Sequence, residues 1–455
     1  MKTVTCALRF PGGVHPSDNK EPVRDKLIET LPLPKQLVIT MAQHRGTPAT
    51  CTVKVGEHVA CGQLIGAAFG PLAVPVHASA AGTVKVIEAR QTPSGAWAEA
   101  VVLETDADQT ATPPLRFAPL NWKKASPDAL LARVAEAGLC GMGGAGFPTA
   151  IKLRLAPGRR CDFLIVNGAE CEPYLSADFR VMVEWADRVR SGIEIIRKIL
   201  GGPAVRIAIE ENKPEAVAAL EKALADITGD VEIVVLPLLY PQGSEKHQVY
   251  ATTGRKIPPG DLPISVGCVV ENVATVAAVA CAVENGEPLI SRVISVTGDG
   301  ITEPKNVLAP LGVASSELAA FCGGEKPGVR KVLSGGVMMG MALPDLTIPT
   351  TKTTSGLLFL TDARTFQYKT SPCLNCGRCV RACPMGLNPA AISRAVEADD
   401  IDRAESLHVI SCIECGACSF SCPAFRSITH YCRRAKNALR ARQLAARAAA
   451  QKASH

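Results

Sequence analysis

CLNCGRCVRACP (373–384) and CIECGACSFSCP (412–423) obey one rule, C-x2-C-x2-C-x3-C-P. Three thiolates two residues apart can wrap one cube of iron and sulfide, while the longer step aims the fourth cysteine at the neighbouring run's cube. The spacing therefore predicts two [4Fe–4S] clusters. Cys373, Cys376, Cys379 and Cys422 hold one; Cys412, Cys415, Cys418 and Cys383 hold the other. Zinc sites use paired C-x2-C units across a long loop, without a third cysteine at the next step. The proline after each fourth cysteine fits a turn that can spare an amide donor.

Helical patterns over 389–396 and 403–408 lie between the runs, so 365–426 reads as an α-helical ferredoxin-like domain. Each cluster moves one electron and neither accepts a hydride, which makes the pair a wire. The chain has 18 cysteines, and these eight fall within one short segment. That clustering fits metal-bound thiolates in a reducing compartment better than a secreted disulfide scaffold. The other ten, Cys171 and Cys432 among them, lack ligand spacing and read as small buried hydrophobes.

After the second run the chain turns basic. Eight Lys and Arg and no acid lie from Arg426 onward, so the +6 of the whole chain leaves −2 for everything before. A helix over 427–455 with Ile428, Tyr431, Ala435 and Leu439 on one stripe can pack while its arginines face anionic lipid, a partner or solvent. Aromatics are 4% and none interleave with basic clusters, which argues against nucleic acid. Hydrophobic residues reach 47%, yet there is no apolar run of about 18 residues and no apolar signal core near Met1. A soluble or peripheral protein of several domains is expected.

Upstream, 1–115 reads as a β domain of short strands broken by Gly and Pro, including 52–55, 63–66 and 82–87. VKVGEHVACGQLIG (53–66) and VPVHASAAGTVKV (74–86) are similar to the biotinyl/lipoyl barrel-sandwich pattern, without the lysine that carries a prosthetic group. A Pro-rich linker (112–122) leads to a helix over 127–139 and an α/β domain over 125–285. Strands are expected at 163–166, 205–209 and 231–236, and helices at 179–200, 214–225 and 271–283. Residues 286–360 suggest a small α+β module with Gly pairs.

Within the α/β domain, Gly141, Gly143, Gly144 and Gly146 satisfy G-x-G-x-x-G, but a helix precedes them where a dinucleotide fold needs a strand. Successive glycines bare backbone N–H groups and can cradle a phosphate or flat cofactor, with Lys152 adding charge; taken alone, the loop is also a packing turn. The strand over 163–166 runs into Asn167, Glu170 and Glu172. Strand C-terminal ends are where α/β sheets bind ligands.

GLCGMGGAGFPTAIK (138–152), LIVNGAECEP (164–173), LLYPQGSEK (238–246) and VVENVATVAAV (269–279) resemble the FMN- and NADH-binding motifs of the complex I flavoprotein subunit. FPGGVHP (10–16), the β domain and the two-cluster segment narrow the resemblance to the C subunit of Rnf-type electron-transport complexes. It implies a β-grasp-like module at 286–360 and noncovalent FMN held by the Gly141–Gly146 loop, Asn167, Val270, Glu271, Asn272 and Thr275. It places Phe147, Lys152, Glu172 and Glu245 toward NADH, and Glu170, Tyr240 and Gly243 beside the flavin. Met142 and Ser244 depart from the complex I pattern, which has arginine and glutamate there. The implied function is hydride transfer from NADH to FMN, then single electrons through both clusters to partner subunits. Those partners are membrane-embedded and ferredoxin-like subunits of an ion-translocating assembly, with this chain peripheral on the cytoplasmic face of the bacterial inner membrane. A soluble corrin reductase with the same motifs, or an electron-carrier subunit without flavin chemistry, are the alternatives.

Overall fold

The computed structural model describes residues 1–365 and 368–453; the end of the tail, 454–455, and positions 366–367 of the ferredoxin-like segment lie outside the described residues. Its centre is a parallel five-stranded sheet in the order Lys2–Thr5, Val231–Leu236, Ala204–Glu210, Phe163–Gly168, Cys268–Asn272. Two of these strands differ from the sequence expectation. Lys2–Thr5 leaves the N-terminal β domain and pairs with Val231–Leu236, closing the sheet's edge. Glu271 and Asn272 end a strand instead of opening a helix. Asn272 caps the helix Val273–Ala280, its side chain accepting from the N–H groups of Ala274 and Thr275.

Parallel strands need crossovers, and helices packed on the sheet supply them. The stretch expected as one helix over 179–200 breaks at Trp185 into Ala177–Glu184 and Ala186–Ile199. Ala186–Ile199 buries Val189, Ile193, Ile195 and Ile196 against the sheet and the helix Val273–Ala280. Gly192 permits that contact, since a Cβ there would lie 2.0 Å from the Val276 carbonyl oxygen.

The β domain folds as a four-stranded sheet (Gln36–Thr40, Trp97–Thr105, Gly82–Gln91, His58–Val59) and a three-stranded one (Thr50–Cys51, Leu64–Ala67, Val76–His77) around Leu37, Ile39, Met41, Ile65, Val84 and Leu103. The expected strand 52–55 does not form; the strand here is the preceding Thr50–Cys51. A mixed six-stranded sheet follows, in the order Met341–Ala342, Val329–Ser334, Gly356–Thr361, Ser291–Thr297, Lys305–Pro310, Ile28–Thr30. Ile28–Thr30 again crosses from the N-terminal segment.

The last domain is helical: Arg378–Ala382, Pro389–Glu397, Ile401–Ser406, Ala417–Phe420 and the long Ile428–Ala453. Ile428, Cys432, Ala435 and Leu439 bury one stripe of the long helix, with Tyr431 half-buried. Its basic character is largely answered within the chain. Arg433 and Lys436 pair with Glu414 at 2.9 and 2.5 Å, Arg442 pairs with Asp402 at 2.5 Å, and Arg434 pairs with Asp399. Among the described residues, no helix is long and apolar enough to cross a membrane.

Candidate functional site

The sheet register sets the site. Val166 lies beside Glu271 and Asn167 beside Asn272, so the two polar strand ends form one ledge. Both asparagines are half-buried, and both side-chain amides are held by hydrogen bonds. Asn167 donates to the Gly243 carbonyl (2.9 Å) and accepts from Gln248 (2.7 Å), while Asn272 donates to Asp178 (2.7 Å).

The glycine loop lies on this ledge. A Cβ on Gly143 would meet the Asn272 side chain at 3.1 Å, so glycine is what permits the approach. Met142 anchors the loop from both sides: its N–H donates to Thr275 Oγ1 (2.9 Å), and its carbonyl accepts from the buried Arg292 guanidinium (3.2 Å). Gly141 donates to the Phe147 carbonyl (2.8 Å), and the Gly146 carbonyl accepts from Arg45 N–H of the β domain (2.8 Å). Between these anchors residues 143–145 are exposed, and Gly144, at φ +127°, faces open space. A loop pinned at its ends with free N–H groups in its middle suits an anionic or planar ligand.

The expected acids take different places. Lys152 donates to Glu245 (2.7 Å) and the Val270 carbonyl (2.7 Å); burial pulls its pKa down, but Glu271 and Glu245 outweigh that and hold it raised. Burial pushes Glu271 up to about 7 against the pull of Lys152, and its Oε1 has no hydrogen-bond partner. Glu172 is also pushed up to about 7 by burial; it accepts from Met338 N–H (3.1 Å) and lies 3.4 Å from the Tyr240 hydroxyl. Glu170 is committed elsewhere. Its oxygens accept from the N–H groups of Asp178 (2.7 Å) and Phe179 (3.1 Å), holding the start of Ala177–Glu184.

Other residues here carry no sequence signal because distant segments deliver them. Asp178 is pushed up to about 7 by burial and then by Glu170. Lys352 is fully buried, donates to the carbonyls of Pro75 and Gly138 (both 2.7 Å), and is lowered to about 8 by burial. Arg292 and Lys352 set buried positive charge behind the glycine loop. With the bare N–H groups of residues 143–145 and the orphaned Glu271 oxygen, they fit a phosphate-bearing flavin.

The cysteines gather into two rings. Cys373, Cys376, Cys379 and Cys422 line one cavity, and Cys383, Cys412, Cys415 and Cys418 line another. The fourth cysteine of each run thus sits with the other run's three. Among the described residues, no three His, Cys, Asp or Glu close on a point that would hold a single ion. Cys432, expected as packing, lines the second cavity together with Cys412. The Cys432 side chain is the chief cause lowering the Cys412 pKa to about 7.

The second ring abuts the ledge. Tyr240 OH donates to the Cys415 carbonyl (2.7 Å), Gly13 N–H donates to the Ala382 carbonyl (3.0 Å), and a Cβ on Gly12 would meet the Cys383 carbonyl oxygen at 2.6 Å. The segment 10–16 is therefore a strap between the sheet and this ring.

Residues 134–281 match the Nuo51 FMN-binding domain, residues 8–108 the RnfC barrel sandwich hybrid domain, and residues 372–428 the 4Fe-4S dicluster domain. The C subunit of the proton-translocating ferredoxin:NAD(+) oxidoreductase complex of Clostridium ljungdahlii is 43% identical, covering 84% of this chain and 83% of its own length. Its counterpart in the Na(+)-translocating ferredoxin:NAD(+) oxidoreductase complex of Acetobacterium woodii is 39% identical over 87% of this chain and 89% of its own. The C subunit of the ion-translocating oxidoreductase complex of Rhodobacter capsulatus is 41% identical over 86% and 76%. With likeness running through the barrel, the flavin ledge and the paired rings alike, this chain belongs to the RnfC family, the C subunits of Rnf-type ion-translocating oxidoreductase complexes.

Proposed function

We propose that this chain is the NADH-oxidising, peripheral subunit of an Rnf-type membrane complex, carrying noncovalent FMN and two [4Fe–4S] clusters and passing single electrons to partner subunits. Bound flavin would supply the exchange between a two-electron hydride and one-electron carriers, which no side chain here can perform. The chain's residues do the holding. The N–H groups of residues 143–145, with Arg292 and Lys352 behind them, would balance a phosphate's charge; Asn167, Asn272 and Thr275 fix the ledge and loop. Lys152, Glu245 and Glu172, with Phe147, would position the nicotinamide nucleotide.

The observation that carries the proposal is the continuity of the path within one polypeptide. The ledge touches the ring of Cys383, Cys412, Cys415 and Cys418 through Tyr240, whereas the ring containing Cys376 reaches the surface. That supports an order in which electrons enter at the ring of Cys383, Cys412, Cys415 and Cys418 and leave at the ring of Cys373, Cys376, Cys379 and Cys422. A ferredoxin-like subunit of the complex would receive them there, and the assembly would join NAD/ferredoxin exchange to ion movement at the cytoplasmic face of the membrane. The strand order Lys305–Pro310, Ser291–Thr297, Gly356–Thr361, Val329–Ser334 supports a β-grasp-like reading of the third module.

The test is an anaerobic titration of the iron-reconstituted protein with NADH, followed by flavin absorbance and low-temperature EPR. Bleached flavin with cluster signals is expected. Clusters reducible by dithionite alone, in a chain without flavin, would leave only a wire.

A further inference from the structure

The long terminal helix does more than close the ferredoxin-like domain. Thr429 and Cys432, three residues apart, share one face of Ile428–Ala453, and both line the cavity ringed by Cys383, Cys412, Cys415 and Cys418. Thr429 Oγ1 lies 3.5 Å from Cys418 Sγ, and the Cys432 side chain faces the same cavity as Cys412 and packs in the same cluster of side chains. One turn further on, Lys436 Nζ donates to the Cys412 carbonyl at 2.7 Å. Cys432 is 1% exposed, so its thiol has no water to turn to.

Among the described residues the other ring shows no such pair of donors, and Asn375 Oδ1, an acceptor, lies 3.8 Å from Cys373 Sγ. Ser393 lines that cavity, but its hydroxyl donates to the Ala390 carbonyl at 3.0 Å. Cys376 is exposed, and Arg394 reaches Asn375 Oδ1 (2.7 Å) rather than a sulfur.

We propose that Cys432 and Thr429 are positioning residues for the second ring's cluster, donating S–H and O–H hydrogen bonds to its ligand sulfurs Cys412 and Cys418 and thereby raising its reduction potential. This rests on the two-cluster reading above. Ligand cysteines bind iron as thiolates, leaving the fifth cysteine protonated and able only to donate to its neighbour. A donor to a ligand sulfur stabilises the extra negative charge of the reduced cluster, and such bonds are among the determinants of cluster potential. The cluster nearest the flavin ledge would thus be the readier electron acceptor of the pair.

The experiment is a potentiometric titration of the full holoprotein by low-temperature EPR, with iron counted per chain, for the wild type, Cys432→Ala, Cys432→Ser and Thr429→Val. In C432A, iron stays at the wild-type count and one cluster's midpoint moves negative. A tenfold change in its reduced-to-oxidised ratio at fixed potential would read as about 59 mV for one electron. C432S, which keeps a donor, restores most of the shift; T429V moves the same signal and leaves the other in place. Unmoved midpoints in both C432A and T429V, with iron retained, overturn the proposal. Loss of half the iron in C432A also overturns it, because Cys432 would then be a ligand. A wild type with only one cluster signal defeats the two-cluster reading instead, so the two failures are distinguishable.

Discussion

The hydroxyl of Tyr240 donates to the main-chain carbonyl of Cys415 at 2.7 Å, joining the loop beside the ledge to the second cysteine ring across 175 residues of sequence. The same hydroxyl stands 3.4 Å from Glu172, so one buried phenol touches both the acid expected near the nicotinamide and the ring expected to take its electrons. Removing the donor leaves a buried carbonyl unsatisfied, at a cost of about 1–3 kcal/mol. Tyr240→Phe should therefore loosen the junction. In stopped-flow mixing with NADH, flavin bleaching persists while cluster reduction lags behind it; an unchanged cluster rate would show that the junction does not govern transfer.

The crossed rings give a sharper test. If Cys383 belongs with Cys412, Cys415 and Cys418, as the cavities group them, then Cys383→Ser and Cys412→Ser lose the same EPR signal. Cys422→Ser should lose the other, together with Cys373→Ser. Pairing of Cys383 with Cys373 in this assay would mean that each run holds its own cluster.

Much of this organisation is legible because spacing alone aims the cysteines, and alternating apolar runs mark strands such as Val231–Leu236. The flavin ledge is less so. VVENVATVAAV (269–279) is apolar enough to pass for one buried helix, although Asn272 before an apolar run is also a helix-start signal, and that signal is what the structure follows. Glu170 looks like a ligand in sequence because nothing local shows that the start of Ala177–Glu184 lacks its own cap. Lys2–Thr5 and Ile28–Thr30 join sheets whose other strands lie far along the chain, a pairing no local pattern encodes. Cys432 escapes notice for the same reason, since it reaches the second ring through the packing of a helix.

Gly144 and Gly146 should fail in different ways. Gly144 has φ +127° with nothing within 4 Å of a built Cβ, so Gly144→Ala costs backbone strain of about 1–3 kcal/mol and puts a methyl over the exposed N–H groups. Flavin content falls while iron content holds. Gly146, at φ +63°, would press its Cβ to 2.8 Å from Thr353 Cγ2 and 3.2 Å from His44 Cα. Gly146→Ala should therefore also lower the melting temperature by displacing the β domain. Equal flavin-to-protein ratios in G144A and wild type would remove the loop from the cofactor site.

Burial of Glu271 makes stability depend on pH in a direction opposite to that of a paired surface acid. Its carboxyl titrates at about 7 in the folded chain against an ordinary value of 4.5, so between those values the native state holds a proton that the unfolded state has released. Stability from this group is full below pH 4.5 and is lost as pH rises toward 7. At 1.36 kcal/mol per unit, the ceiling is about 3 kcal/mol. Glu172, raised to about 7 as well, works in the same sense. Thermal melts of the flavin-free, iron-loaded protein at pH 5 and pH 8 should show the higher midpoint at pH 5, and Glu271→Gln, which cannot ionise, should narrow the gap. If the gap were as wide in E271Q as in the wild type, Glu271 would not be the buried acid that sets it. A wider tolerance of high pH once flavin is bound would further indicate that the orphaned Oε1 gains its partner there.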